Sequence, residues 1–226
     1  MRYLRSYLFF FDHPYWFANL LLGSLCQLIP VVGFVALLGQ GVDLLEDRCR
    51  RGRGSYQSFD IERFPAYLRR GLWPFVRLLV IYLPFVGLCS YLTRLICEGI
   101  GSEYDRQRAI ELLLALGFSA SAVFVLLGLV VDPWSLRSAL GHQAQHVSAL
   151  RFVCGFVRRV WIPLLLARLF GLVTAQVALL VGLCFCGLGI YPALVLIVFA
   201  HHHRLYQLYQ LYLQRGGPPL AAASAD

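Results

Sequence analysis

The chain has 226 residues, of which 59% are hydrophobic and only 14% are charged. A soluble domain of this length carries roughly 25% charged residues, so the composition excludes an ordinary water-soluble globule and points to an integral membrane protein. The formal net charge is +8 and every basic residue is arginine. Those arginines lie in loops beside apolar stretches, which makes anionic lipid headgroups, and not nucleic acid, the expected partner.

The chain opens on aromatic and basic residues, Tyr3, Tyr7 and Phe9 to Phe11, then Asp12-His13-Pro14. Amphipathic rings beside an apolar segment suit the headgroup level, so an interfacial helix ending before Pro14 is predicted. There is no basic start followed by a short apolar core and a small-residue cleavage site, and the first apolar segment is expected to stay in the bilayer.

That segment, 16–45, would run about 45 Å as one helix, against about 30 Å of hydrocarbon. Pro30 lacks an amide donor and clashes with the preceding turn, so the helix must kink or stop there. Two readings follow: one kinked span continuing into a cytoplasmic helix, or two short arms forming a re-entrant hairpin. The hairpin is preferred because it keeps Arg2 and Arg5 on the side of the later arginine-rich loop and groups Trp16 with Trp73, Trp134 and Trp161. Its second arm carries Glu46 and Asp47 four residues before Arg50 and Arg51, the favourable order for surface salt bridges.

A polar arginine-rich loop (48–64) leads to a second segment, 72–95, which Pro84 should kink and in which Arg77 and Arg94 would snorkel outward. A third segment, 111–132, contains the uncharged run Leu112 to Val131, and Asp132-Pro133-Trp134 is read as its stop. Over 135–157, Leu136, Leu140, Val147, Leu150, Cys154 and Val157 share one helical face, which predicts an amphipathic helix lying on the membrane surface. Two more spans, 160–183 and 188–206, are separated by a hairpin at Gly182, Gly187, Gly189 and Pro192. His201 to His203 cap the last span, the Leu/Tyr repeat after it reads as an interfacial extension, and 214–226 reads as a disordered tail. The fold class is therefore all-α: one polytopic helical domain over 1–213, with five hydrophobic segments, the first broken at Pro30, plus the surface helix.

Several short motifs, Pro14-x-Trp16, LIPVVG (28–33) with Gly39 beyond it, Phe64-Pro65-x-Tyr67, Arg70-Gly71-Leu72 and GLGIYPALVLIVFAHHHRLYQLY near the end, together carry a likeness. Over residues 8 to 210 the chain resembles the bacterial and archaeal membrane proteins of domain-of-unknown-function family 4013. It departs from that pattern at Gly39-Gln40, where a Gly-Tyr is usual, and at Phe-Pro-Ala-Tyr, where Leu-Pro-x-Trp is usual. The resemblance implies a polytopic membrane fold and no established activity.

The residues that bear chemistry are few. The seven cysteines form no C-x-x-C pair and read as free thiols or packing groups. Asp43, Glu46 and Asp47 share a helix face and read as a salt-bridged surface. Arg168 lies inside a span, where a charge either snorkels, here toward Arg158 and Arg159, faces the bundle interior, or lines a polar path. With Arg158 and Arg159 it is the candidate contact for an anionic lipid or solute, and Gln176 could extend its stripe. His142 and His146 stand one turn apart, so both could reach one metal ion. With His201 and His203, and Cys154 or a carboxylate as a further ligand, they are the metal candidates for a borderline ion such as Zn²⁺.

No nucleophile, base and orienting group assemble from these motifs, so no enzymatic activity and no cofactor is expected. The expected function is a non-enzymatic accessory or scaffolding component, or a handler of lipid or small solute. The alternative is a small transporter or metal-handling protein using Arg168 and the histidines. The positive-inside rule places the loops 48–70 and 133–159 and the C-terminus in the cytoplasm, in a multi-pass protein of the plasma (inner) membrane. A membrane-protein partner or a second copy of the chain would complete it.

Overall fold

A computed structural model describes residues 3–51, 58–98, 103–140 and 148–220. These are all-helical, at 86% helix with no strand among the described residues. Seven helices follow in order: α1 (Arg5–Phe11), α2 (Trp16–Cys26), α3 (Pro30–Arg51), α4 (Phe64–Glu98), α5 (Glu103–Ala139), α6 (Ala149–Cys184) and α7 (Ile190–Gln214).

The first segment breaks where its proline demands. Pro30 opens α3, a position whose amide would have no helical partner anyway. The turn closes through Gly33, whose amide bonds the Ile29 carbonyl at 2.8 Å. A side chain at 33 would collide with the backbone of Cys26 and Gln27. α3 then packs closely on α4. Gly39 lies against the backbone of Tyr67, and Gly71 against the carbonyl of Val35, the small-residue contact that lets helix backbones approach. The same interface is tied at its polar end, where Arg70 Nη1 donates to Asp43 Oδ1 at 2.5 Å and to Glu46 Oε2 at 3.2 Å. Arg63 lies 3.4 Å from Asp43. The carboxylates therefore bridge to the next helix; the side chains of Arg50 and Arg51, their expected partners, lie outside the described residues.

Among the described residues, three helices are long and apolar enough to cross a membrane: α4, the stretch Arg106–Ala139 of α5, and α6. Their apolar side chains face outward, with Val80 69%, Phe118 85%, Leu126 59% and Leu180 63% exposed, the inverse of a soluble core. Trp73, Trp134 and Trp161 are exposed as well. α2, with 11 residues, is about half a span long. α7 carries the polar run His201 to Arg204 and is largely enclosed, burying Val195, Phe199, His202, His203, Leu205 and Tyr209 among others.

Four expectations are corrected. Asp132-Pro133 does not stop the third segment; α5 runs through Pro133 to Ala139. No separate surface helix occupies 135–157: residues 135–139 end α5 and 149–157 begin α6, while 141–147 lie outside the described residues. Of the face meant for a membrane surface, Leu136 and Leu140 are core and pack with Phe152, Phe156, Tyr209 and Tyr212, with Val157 against them, whereas Leu150 and Cys154 are exposed. The Tyr-rich extension is likewise interior. Finally, the start of the expected tail folds back: Gly216 turns the chain at φ +73°, Leu220 is buried, and its amide donates to the Tyr209 hydroxyl at 2.9 Å. Residues 221–226 lie outside the described residues.

α6 bends at Val160 (φ −129°, ψ 23°), three residues before Pro163. Proline removes the amide that would bond the carbonyl four residues earlier, and that carbonyl, Arg159 O, instead accepts from Arg215 Nη1. The α6–α7 turn falls where the glycines predicted it. Cys186 and Gly187 adopt positive φ, and Gly182 lies so close to Gly189 that neither could carry a side chain without displacing backbone.

Candidate functional site

The polar groups of the bundle gather on one level of α5, α6 and α7. Asp132 on α5 is 3% exposed and forms an ion pair with Arg168 Nη2 on α6. The same nitrogen donates to the Gly128 carbonyl at 3.4 Å, one turn earlier on α5. His201 of α7 brings Nε2 to 3.6 Å from Asp132 Oδ1. Arg204, one turn along α7 and 5% exposed, lies with its guanidinium 5.6 Å from the Tyr7 ring and donates to the Tyr7 hydroxyl at 3.5 Å. That hydroxyl meets Thr174 Oγ1 of α6 at 2.6 Å.

Glycines make the room. A Cβ at Gly128 would strike the Arg168 guanidinium, and one at Gly171 would come within 2.9 Å of Arg204 Nη2. Each arginine thus lies over a helix stretch stripped of its side chain, which brings a long cation into the bundle without prising the helices apart. Burial of a guanidinium in apolar surroundings is costly unless it is paired, and Asp132 supplies that charge to Arg168.

The three consecutive histidines diverge, as positions 100° apart on a helix must. His201 faces Asp132. His202 donates its Nδ1–H to the Val198 carbonyl at 2.8 Å and packs where Gly41 of α3 leaves space. His203 accepts from Arg48 Nη1 at 3.2 Å and stacks on Phe9 with ring centroids 4.5 Å apart. Arg48 in turn lies 3.8 Å from the Phe9 centroid and 5.4 Å from that of Tyr206. α7 is therefore fastened to α5 and α6 on one side and to α1 and α3 on another. Asn19 of α2 adds a further tie, accepting the Phe59 amide at 2.7 Å.

Of the expected site residues, Arg168 is brought to the centre, facing inward, and does not snorkel. Arg158 is exposed. Arg159 donates to the Gly155 carbonyl at 3.2 Å and lies 5.8 Å over Tyr212, so neither converges with Arg168. Gln176 and Cys154 face outward. His201 and His203 do not share a point of approach, and no group of three or more His, Cys, Asp or Glu among the described residues is arranged to hold a metal ion. His142 and His146 lie outside the described residues. What sequence reasoning missed is Asp132, read as a helix stop, and Arg204, read as interfacial. The available signal was an acidic residue bordering one span and an arginine inside another.

These contacts bind one helix to the next and leave the outer surface apolar, so the centre is chemically a fastening between helices. No family model, curated protein or solved structure matches the chain, and its reading rests on this geometry.

Proposed function

We propose that the chain is a multi-pass, non-enzymatic component of the plasma (inner) membrane, an accessory or scaffolding protein whose arginine-rich side contacts anionic lipid. The observation that carries this reading is the inversion of the structure. Long apolar helices expose Phe118, Val80 and Leu180, while Asp132, Arg168, His202, His203 and Arg204 are enclosed. In hydrocarbon such an arrangement satisfies both kinds of group.

The five-segment count is retained as part of the proposal. The polar residues His202, His203 and Arg204 of α7 are buried, so it crosses within the bundle. α2 and α3 make the re-entrant hairpin, with Leu25, Leu28, Ile29 and Val31 exposed at its tip. The N-terminus, the loop after α3, the loop after α5 and the C-terminus then share the cytoplasmic side. The likeness to family 4013 also stays a proposal, supported by the clustering of its Gly39, Tyr67 and Gly71 in one helix–helix contact.

The test is membrane partition. The full chain should remain in the pellet after alkaline carbonate and be released only by detergent. Release by carbonate alone would refute the reading.

A further inference from the structure

Arg77 lies inside the apolar stretch of α4. Farther along α4, Arg94 has a carboxylate one turn on, with Nε 2.6 Å from Glu98 Oε1. Arg168 has Asp132. Arg77 has Trp73 one turn before it and Ile81 one turn after, and no carboxylate pairs with it among the described residues. Its Nη1 donates to Ser138 Oγ of α5 at 2.9 Å, and Ser138 is fixed by donating to the Ser135 carbonyl at 2.9 Å. The guanidinium lies 5.4 Å from the Trp134 ring. One hydrogen-bonded nitrogen leaves most of the five N–H donors of a guanidinium without a partner among these residues.

The surroundings define what would come to it. Trp73 is 73% exposed, and Trp134, Leu72, Val76 and Val130 of the same two helices, α4 and α5, are exposed as well. Exposed tryptophans mark the headgroup level, and these side chains lie on the outer surface of the bundle. A cation at that depth requires a counter-charge. The anion present at that level in a bilayer is the phosphodiester of a phospholipid, and guanidinium matches phosphate with paired N–H···O bonds.

We propose that Arg77, positioned by Ser138 and flanked by Trp73 and Trp134, is a seat for the phosphodiester of an anionic phospholipid on the outer surface where α4 meets α5. The proposal rests on the membrane reading above. It adds to it a defined site, apart from the arginine-rich loops. Acyl chains would lie along Val76, Val80 and Val130, with the headgroup emerging beside Trp73.

The test is a titration of the detergent-solubilised full chain with phosphatidylglycerol, followed by native mass spectrometry. The seat predicts that Arg77→Ala weakens retention of the first bound lipid about tenfold, that Ser138→Ala shifts it the same way by less, and that Arg94→Ala leaves it unchanged. Arg77→Gln keeps the stem length and serves if the alanine variant fails to accumulate. Equal retention by wild type and both Arg77 variants would overturn the proposal. So would displacement of the lipid by inorganic phosphate, which would make this a free-phosphate site. Carbonate extraction run in parallel separates the two levels: a wild-type chain released from membranes defeats the membrane reading, whereas an embedded chain with Arg77-independent binding defeats only the seat.

Discussion

Asp132 of α5 and Arg168 of α6 meet between their helices, 36 residues apart in the chain, and each is the other's charge partner inside the bundle. Removing one member leaves the other buried and unpaired, at a cost of about 3–5 kcal/mol, whereas replacing both with apolar residues is close to neutral. Asp132→Asn should therefore destabilise the detergent-solubilised protein strongly, and Asp132→Leu with Arg168→Leu should destabilise it far less. Equal loss in the single and double variants, measured by thermal unfolding, would show that the pair is not the unit.

The glycines offer a sharper comparison. Gly128→Ala places a methyl group into the Arg168 guanidinium, and overpacking of this kind costs about 1–3 kcal/mol. Gly117, on the same helix, has nothing within 4 Å of the position its Cβ would take. Gly117→Ala should be neutral or stabilising by up to about 1 kcal/mol. Matching shifts for the two would mean that Gly128 is not a cradle.

The bend in α6 predicts a coupling. Arg215 supplies the hydrogen bond that Pro163 denies to the Arg159 carbonyl. In the wild type, Arg215→Ala should cost about 0.5–1.5 kcal/mol. In a Pro163→Ala background the helix amide takes over and the same change should cost little. A double-mutant cycle with no coupling would separate the two.

Much of this architecture was legible in the sequence, and the reasons for the remainder are specific. Pro30 announced the α2–α3 break because a missing amide acts locally, and Gly182, Gly187 and Gly189 announced the last turn because a missing Cβ does so too. The amphipathic reading of 135–157 found the correct apolar faces at Leu136 and Leu140 but gave them the wrong partner. A helical face shows what is apolar, and only the fold shows whether lipid or Tyr212 covers it. Asp132 looked like a stop because a proline follows it, yet α5 continues. The pairing with Arg168 is a contact between distant elements that no periodicity encodes. The histidine run invited a metal because its residue types fit, but consecutive helical positions point apart, and each ring finds a different neighbour.

Cysteine chemistry gives another check. Burial pushes the Cys49 thiol up to about 12, against the opposing influence of Arg48, whereas Cys97 is exposed at the end of α4. Only thiolate reacts with alkylating reagents. At pH 8 in detergent, Cys97 should be modified readily and Cys49 only after unfolding. Similar rates at the two positions in the folded protein would contradict the enclosed setting of Cys49.

The central claim is a chain threaded repeatedly through the membrane, with its arginine-rich side inward, and single-cysteine labelling of intact cells tests it most directly. In a background without other cysteines, the native Cys186 lies in the exposed α6–α7 turn, and Glu62→Cys lies just before α4, also exposed. The account predicts that an impermeant thiol reagent labels Cys186 in intact cells and reaches position 62 only after the membrane is opened. Labelling of position 62 from outside, with Cys186 protected, would contradict it.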